Sequence, residues 1–335
     1  MSPASLPYVY TASEIQEMRF WRASPRESNK IGDPVKRARN HTSRLINAQL
    51  TKLSAITRQA SLQFPALKLM QPFEREVVLL TLGKGTYEKN VQLLRKVYAQ
   101  LHNVGKEFEA EAQTQRTKQE AEDCGHLAIE KLREVVDKNA DSLRQIAAMT
   151  KTLRGLPSVD LEKPIFAFVG APNVGKSSLV RALSTASPEV ANYPFTTRGI
   201  TMGHIFVDGI SYQIADTPGL IYRPDDQRNA IEKLALAMIE KTQAAVGFVF
   251  DPSGNSGTPL EDQLRLRDEL HTRVEDTGDT HAWIDIISKI DVPVPEIHEL
   301  HAHLPDALLV SSETNQGLVE LGAEIRQVLV GEPQK

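Results

Sequence analysis

The sequence predicts two folds in series. The first is an all-α helical hairpin or bundle. The second is an α/β domain with a mostly parallel sheet and helices on both faces. Three observations predict this. Up to about residue 155, apolar residues recur at spacings of three and four, with few strand signals. After Arg154-Gly155-Leu156-Pro157 the pattern changes to short apolar runs alternating with helical stretches. The first such run leads directly into a glycine-rich loop and a helix. The expected domains are therefore residues 1–155 and 160–331.

In the helical part, Leu94, Val97, Leu101, Val104 and Phe108 form an apolar seam. Ile129, Leu132, Val136, Leu143, Ile146 and Leu153 continue it on a second helix, with Asn139 and Thr150 as polar interruptions. A polar gap around Thr114 to Thr117 turns one helix back on the other as an antiparallel hairpin. Prolines at Phe64-Pro65 and Gln71-Pro72 break the pattern upstream. The seam reads as packing and carries no site.

In the α/β part, strands are expected at 165–169, 204–207, 212–216, 245–250, 283–288 and 307–310. Helices are expected at 176–186, 229–241, 260–273 and 317–329. Sheets of this kind bind ligands beyond the carboxyl ends of their strands. The motifs below all fall there.

Bulk composition bounds the rest. The chain has 335 residues, of which 41% are hydrophobic and 24% charged, an ordinary balance for a globular protein with an ample core. The lone cysteine, Cys124, permits no internal disulfide and sits in a charged helical stretch, which reads as a bystander. No apolar run is long enough to span a bilayer, so no membrane partner is expected. The start lacks a basic stretch followed by an apolar block, and Glu14 and Glu17 disfavour a transit peptide. The net charge of −4 hides an asymmetry: Arg19 to Arg58 holds ten Lys or Arg against two acids, Glu27 and Asp33. A basic segment on an acidic protein is a candidate nucleic-acid contact; its plainer reading is a solvated helix face.

The stretch Gly170-Ala171-Pro172-Asn173-Val174-Gly175-Lys176-Ser177 is a phosphate-binding loop: glycine, four residues, then Gly-Lys-Ser. Its glycines let backbone N–H groups, from Gly170 through Ser178, close around a β-phosphate at a helix N-terminus. Lys176 can reach the β- and γ-phosphates, and the Ser177 hydroxyl can ligate Mg²⁺. Asp216-Thr217-Pro218-Gly219 ends a strand about forty residues on. Asp216 can hold the same Mg²⁺, and the Gly219 N–H can sense the γ-phosphate. Between them, a threonine of Tyr193-Pro194-Phe195-Thr196-Thr197-Arg198-Gly199 can complete the metal shell while a γ-phosphate is present. Thr197 is the first choice and Thr196 the second; an ordinary loop threonine is the alternative. Loss of that ligand on hydrolysis would release the loop, which makes a switch.

Ser288-Lys289-Ile290-Asp291 ends the next-to-last strand. Asp291 can accept both guanine N1–H and the exocyclic amine, a donor pair that adenine lacks. The Lys289 stem can lie over the base. Ser311-Ser312 follows the last strand, where the Ser312 N–H can bond guanine O6. The order and spacing of all five motifs point to a GTPase with GTP or GDP as its nucleotide.

On these residues the α/β half resembles an α/β P-loop GTPase domain of the Obg translation-factor type. The nearer likeness is to the nucleolar GTP-binding protein 1 family and its organellar relatives. It rests on the phosphate loop through Ser178, on Asn192-Tyr193-Pro194-Phe195-Thr196-Thr197 with Gly203-His204, on Asp216-Thr217-Pro218-Gly219-Leu220, and on Arg228-Asn229-Ala230-Ile231-Glu232. The helical half resembles the same group through Phe64-Pro65, Gln71-Pro72-Phe73 and Tyr87. The resemblance implies a switch in large ribosomal subunit assembly. Its partners would be large-subunit rRNA or a pre-ribosomal particle, with ribosomal proteins and assembly factors. An organelle (plastid or mitochondrion), the cytoplasm and the nucleolus are the compartments it implies.

The chain departs from the family pattern in places. Ser288 stands where Asn or Thr begins the fourth motif, and its shorter side chain is expected to lose a bond to the base and to the phosphate loop. Gln227 stands where an aspartate precedes Arg228, with Asp226 one place earlier. The chain ends soon after the α/β part, as in the short organellar or archaeal forms. Leu220 occupies the place where Ras-like enzymes carry a water-orienting glutamine, which implies a low intrinsic rate. Asn173 resembles an asparagine that coordinates K⁺ in some of these GTPases; its other reading is a turn residue. Two further classes stay open: a signalling or trafficking GTPase whose helical arm binds proteins, and a nucleotide-binding placeholder with negligible turnover.

Overall fold

Capping residues explain where the first helices begin. In the computed structural model, which describes residues 5–22, 25, 32–156, 159–161, 163–185, 189–191, 200–207, 210–276 and 282–330, Thr11 and Glu14 form a capping box that starts α1 (Ala12–Glu17). Asp33 accepts from the first free amides of α2 (Pro34–Ser54), whose Pro34 is suited to the first helical position. A single π-helical turn, Ala55–Gln59, leads to the short α3 (Ala60–Gln63). Next come α4 (Pro72–Leu82), α5 (Thr86–Thr114), α6 (Lys118–Lys138) and α7 (Ala140–Arg154).

The chain divides into two units. One is Met1–Met70 with Leu82–Gly155; the other is Gln71–Thr81 with Leu156–Lys335. In this division residues 71–81 fall with the α/β unit. The prolines at 65 and 72 interrupt the helical run here, and α4 buries Phe73, Val77 and Val78.

In the helical unit, α2, α5 and α6 pack pairwise against one another. The expected hairpin is present: α5 stops at Thr114, and Thr117 with Glu120 caps α6. Its seam buries Leu94, Leu101 and Leu132 to 1% exposure or less, together with Ile46 and Leu53 of α2. Gly105 lets the helices approach, because a Cβ there would lie 2.4 Å from Leu50 Cδ2. On the other side of α2, the Thr42 hydroxyl donates to the Ala121 carbonyl at 2.8 Å. The second helix expected over Ile129 to Leu153 is two helices, which meet at the polar interruption Asn139. Asn139 (φ −103°, ψ 15°) separates α6 from α7; its main-chain amide still donates to Val135 O, and its side-chain amide donates to Gln100 Oε1 and Val135 O.

The α/β unit holds a seven-stranded sheet in the order β2-β3-β4-β1-β5-β6-β7. Its strands are β1 (Ile165–Val169), β2 (Glu189–Ala191), β3 (Ile200–Val207), β4 (Ile210–Asp216), β5 (Ala245–Phe250), β6 (Trp283–Ile287) and β7 (Leu308–Leu309). Only the β2–β3 and β3–β4 pairings are antiparallel. The helices are α8 (Lys176–Leu183), α9 (Ala230–Lys241), α10 (Leu260–Asp276), α11 (Glu296–His303) and α12 (Leu318–Val330).

Strand alternation builds a core on each face. Phe166 and Phe168 of β1 meet Leu179 and Val180 of α8 and Leu321 and Ile325 of α12. Val169, Phe248 and Phe250 meet Ala235 and Ile239 of α9, Leu266 and Leu270 of α10, and Leu300 of α11. Gly247 leaves room for the Phe166 ring, which would otherwise stand 2.6 Å from a Cβ. The chain runs from β1 to the side of the sheet that holds β2, β3 and β4, then crosses from β4 to β5 on the other side of β1, so the loop after β1 opens at the switch point.

Among the described strands and α-helices that follow residue 160, β2 and α11 escaped the sequence pattern. The first has three residues, and the second buries only Ile297 and Leu300. Among the described residues no helix is long and apolar enough to cross a membrane.

Candidate nucleotide site

The loop after β1 takes the shape its glycines allow. Gly170 (φ 142°) and Gly175 (φ 106°) occupy backbone regions that side chains disfavour, and a Cβ on Gly170 would stand 2.5 Å from the Val249 carbonyl oxygen. Asn173 also has a positive φ, 62°. Its backbone therefore serves as a turn, as its plainer reading held. The Gly175 carbonyl accepts from the amides of Ser178 and Leu179, which opens α8.

Lys176 is 5% exposed, and its ammonium donates to the carbonyls of Gly170 (3.0 Å) and Ala171 (2.6 Å). Burial pushes its pKa down to about 8, with the nearby Asp216 carboxylate working against that shift. A buried cation held by two carbonyls of its own loop can exchange them for phosphate oxygens.

Ser177 Oγ donates to Asp216 Oδ2 at 2.5 Å. The two groups assigned to Mg²⁺ thus meet, although one starts a helix and the other ends β4. A hydroxyl and a carboxylate at this spacing are the oxygen ligands that Mg²⁺ prefers. Thr217 fixes the turn after β4: its hydroxyl donates to the Phe168 carbonyl at 2.8 Å. Gly219 then lies against the phosphate loop so closely that a Cβ would come within 2.7 Å of Pro172. Leu220 is fully buried in the core and its amide donates to the Gly170 carbonyl. It is turned away from water as well as apolar. Thr196 and Thr197 lie outside the described residues.

The fourth motif corrects one expectation. Ser288 keeps its tie to the phosphate loop: its Oγ stands 2.6 Å from the Val174 carbonyl oxygen and 2.8 Å from that of Phe250. The strand end lies close enough to the loop for a short side chain to reach. Lys289, with φ 57°, spans from Asn173 O (2.9 Å) to Asp251 Oδ2 (2.6 Å). Asp291 Oδ1 accepts from Ser311 Oγ at 2.6 Å, so the fourth and fifth motifs touch. Ser311 Oγ in turn accepts from the amides of Glu313 and Thr314, and Ser312 follows in that turn. Sequence reasoning missed Thr217, Asp251 and Gln263 as supports of the site. Their signal was position, since Thr217 and Asp251 each follow directly on a strand.

Arg228 also finds its acid. Its guanidinium meets Asp225 (2.7 Å) and both oxygens of Glu269 on α10 (2.7 and 2.8 Å). Asp225 supplies the carboxylate missing at Gln227. Asn229 and Glu232 form the capping box of α9.

In the helical unit, Lys36, Arg44 and Lys52 of α2 are exposed, and none has an ion pair among the described residues. Lys106, Lys118 and Lys131 each pair with a glutamate. Arg39 is different: its Nε donates to the Gln115 carbonyl at 2.6 Å, tying α2 to the turn of the hairpin. Arg26 and Lys30 lie outside the described residues. Cys124 is buried, and burial pushes its thiol pKa up, which suits the bystander reading.

Comparison with known proteins agrees with this geometry. A model of 50S ribosome-binding GTPases matches residues 165–282, and a model of the NOG1 N-terminal helical domain matches residues 4–160. Nucleolar GTP-binding protein 1 of Encephalitozoon cuniculi is 27% identical over 229 residues, covering 68% of this chain and 42% of that protein. An uncharacterized protein of Methanocaldococcus jannaschii is 28% identical over 206 residues, covering 62% and 57%. The chain spans about half the length of these two relatives. Among solved structures, the G domain of the T. maritima FeoB iron transporter is 28% identical with a TM-score of 0.39, covering 50% of this chain and 98% of that one.

Proposed function

We propose that the chain, whose two parts match the NOG1 N-terminal helical domain and the 50S ribosome-binding GTPase models, is a member of the nucleolar GTP-binding protein 1 family that binds GTP, hydrolyses it to GDP and phosphate, and acts as a switch in large ribosomal subunit assembly through rRNA binding. One observation carries the nucleotide reading. Ser177 meets Asp216, and Ser288 and Lys289 reach the same loop that Lys176 closes. Phosphate, metal and base functions thus gather around one turn of backbone.

In the reaction, water attacks the γ-phosphorus in line with the leaving β-phosphate oxygen, and charge spreads over the γ-phosphoryl oxygens. Lys176 exchanges its two carbonyl partners for phosphate oxygens and offsets that charge. Ser177 and Asp216 would hold Mg²⁺, which would offset the negative charge of the phosphates when bound. Thr197, with Thr196 the alternative, would complete the metal shell. The Gly219 amide would sense the γ-phosphate. Leu220 cannot orient water, so the intrinsic rate is slow and a partner on the ribosomal particle supplies the acceleration. Asn173 would coordinate K⁺ beside the phosphates, adding positive charge there.

The exposed Lys36, Arg44 and Lys52 of α2, without ion pairs among the described residues, support an RNA contact in the helical unit, through counterion release at phosphates. The partners are then large-subunit rRNA or its precursor particle, with ribosomal proteins and assembly factors around it. The test has two arms. Purified protein is titrated with GTP and ATP, and cell extract is fractionated for the large-subunit precursor. Guanine preference with co-sedimentation is the expected result. Indifference to guanine nucleotides would end this reading. Guanine binding without co-sedimentation would move the protein to a signalling or trafficking role.

A further inference from the structure

We infer that Asp251 is a positioning residue that governs how long nucleotide stays bound, acting through Lys289; the inference rests on the nucleotide reading above. Asp251 follows β5 at the carboxyl edge of the sheet, and its side chain is fully buried. Every polar atom of the residue is engaged. Its Oδ2 accepts from Lys289 Nζ at 2.6 Å. Its Oδ1 accepts from the Ser253 amide (2.9 Å) and the Ser253 hydroxyl (2.5 Å). Its main chain is held at both ends by one side chain: Gln263 of α10 accepts from the Asp251 amide at 2.9 Å and donates to its carbonyl at 3.0 Å. Gln263 is itself 0% exposed.

Three donors therefore converge on one carboxylate. Only an acceptor-only group satisfies all of them, and an amide would turn its NH₂ against a donor. The group so fixed is aimed at Lys289 and not at the nucleotide. Lysine is a long flexible chain, and it forms a fixed wall only when its far end is held. Asp251 holds that end, and the same ammonium then reaches Asn173 O in the phosphate loop at 2.9 Å. Asn173 sits at positive φ, so its carbonyl direction depends on such a tether. The line from Gln263 through Asp251 and Lys289 to Asn173 joins α10 to the phosphate loop. Release of the Lys289 end would loosen both the lysine over the base and the loop around the phosphates. Nucleotide would then leave faster, while the magnesium pair Ser177–Asp216 stays intact.

Stopped-flow release of a fluorescent GDP from the full chain, with Mg²⁺ present, tests this. The variants are Asp251→Ala, Asp251→Asn, Lys289→Ala and the Asp251→Ala/Lys289→Ala pair. Melting of the nucleotide-free proteins is followed alongside. Asp251→Ala should release GDP about tenfold faster or more, as expected for loss of a buried charge-assisted bond. Asp251→Asn, of the same shape, should fall between it and the parent, and serves alone if the alanine variant fails to fold. The double variant should release no faster than Lys289→Ala, because Asp251 acts through that lysine. Parental release from Asp251→Asn, or effects that simply multiply in the double variant, would overturn the inference. A parent protein that binds no guanine nucleotide would instead sink the nucleotide reading itself.

Discussion

Ser288 Oγ stands 2.6 Å from the main-chain oxygen of Val174, so a side chain at the end of β6 anchors the phosphate loop after β1. The serine is 3% exposed, and its single proton is shared between Val174 O and Phe250 O. Ser288→Ala leaves both of these buried carbonyls without that donor, at a cost of about 1–3 kcal/mol. We expect GDP affinity to fall roughly tenfold. Guanine preference should persist, because Asp291 keeps its own bond to Ser311. Titration with fluorescent GDP and ADP measures both. Unaltered GDP affinity would show that the loop does not need this anchor.

Lys176 makes the nucleotide-free protein sensitive to pH. Burial lowers its folded pKa from 10.5 to about 8. Below about pH 8 both folded and unfolded forms carry the proton, and the penalty of a buried charge is fully present. Between about 8 and 10.5 the unfolded chain binds more protons, so stability rises with pH. The gain is on the order of 3 kcal/mol over that window. Lys176→Met removes the ionisation, so its melting temperature should lack that part of the rise. Nucleotide phosphates favour the charged lysine, so binding GDP above about pH 8 should take up a proton. Calorimetry in buffers of different ionisation enthalpy detects the uptake; heats identical in all buffers would refute it.

The parts of the site that were legible in the sequence are those where backbone geometry demands a residue type. Gly170 and Gly175 announce the loop because few other residues reach their φ values. Asp216 announces the metal position because it ends an apolar strand next to that loop. The supports were not legible, since their partners are far away in the chain. Asp251 and Lys289 are 38 residues apart, and no periodicity connects them. The break at Asn139 was hidden because the residues on both sides favour helix. The three-residue β2 is too short to show alternation.

Gly105 sets the spacing of α2 and α5. A methyl group there would meet Leu50 Cδ2 at 2.4 Å and Cγ at 2.7 Å, and Leu50 is itself buried. Helix propensity favours alanine over glycine by about 1 kcal/mol. Overpacking a tight core costs about 1–3 kcal/mol. The second effect is the larger at such short distances, so Gly105→Ala should destabilise the protein by about 1 kcal/mol. Urea unfolding followed by circular dichroism gives the sign. A more stable variant would mean that α2 and α5 move apart freely.

The cations of α2 separate into two kinds, and this decides how an RNA contact should be tested. Arg39 donates to the Gln115 carbonyl, so reversing its charge disturbs the hairpin as well as any surface. Lys36, Arg44 and Lys52 are exposed and without ion pairs among the described residues, so reversing them leaves the fold alone. Surface substitutions of this kind change stability by about 0.5 kcal/mol or less. Each lost phosphate contact reduces the salt dependence of binding by about one unit of slope in a log–log plot. The triple variant Lys36→Glu/Arg44→Glu/Lys52→Glu should therefore melt like its parent, yet bind large-subunit particles weakly and with a flatter salt response. Equal binding at low and high salt in parent and variant would show that α2 faces solvent and not RNA. In that case the helical unit would meet its partner through other residues, and these cations would serve solubility alone.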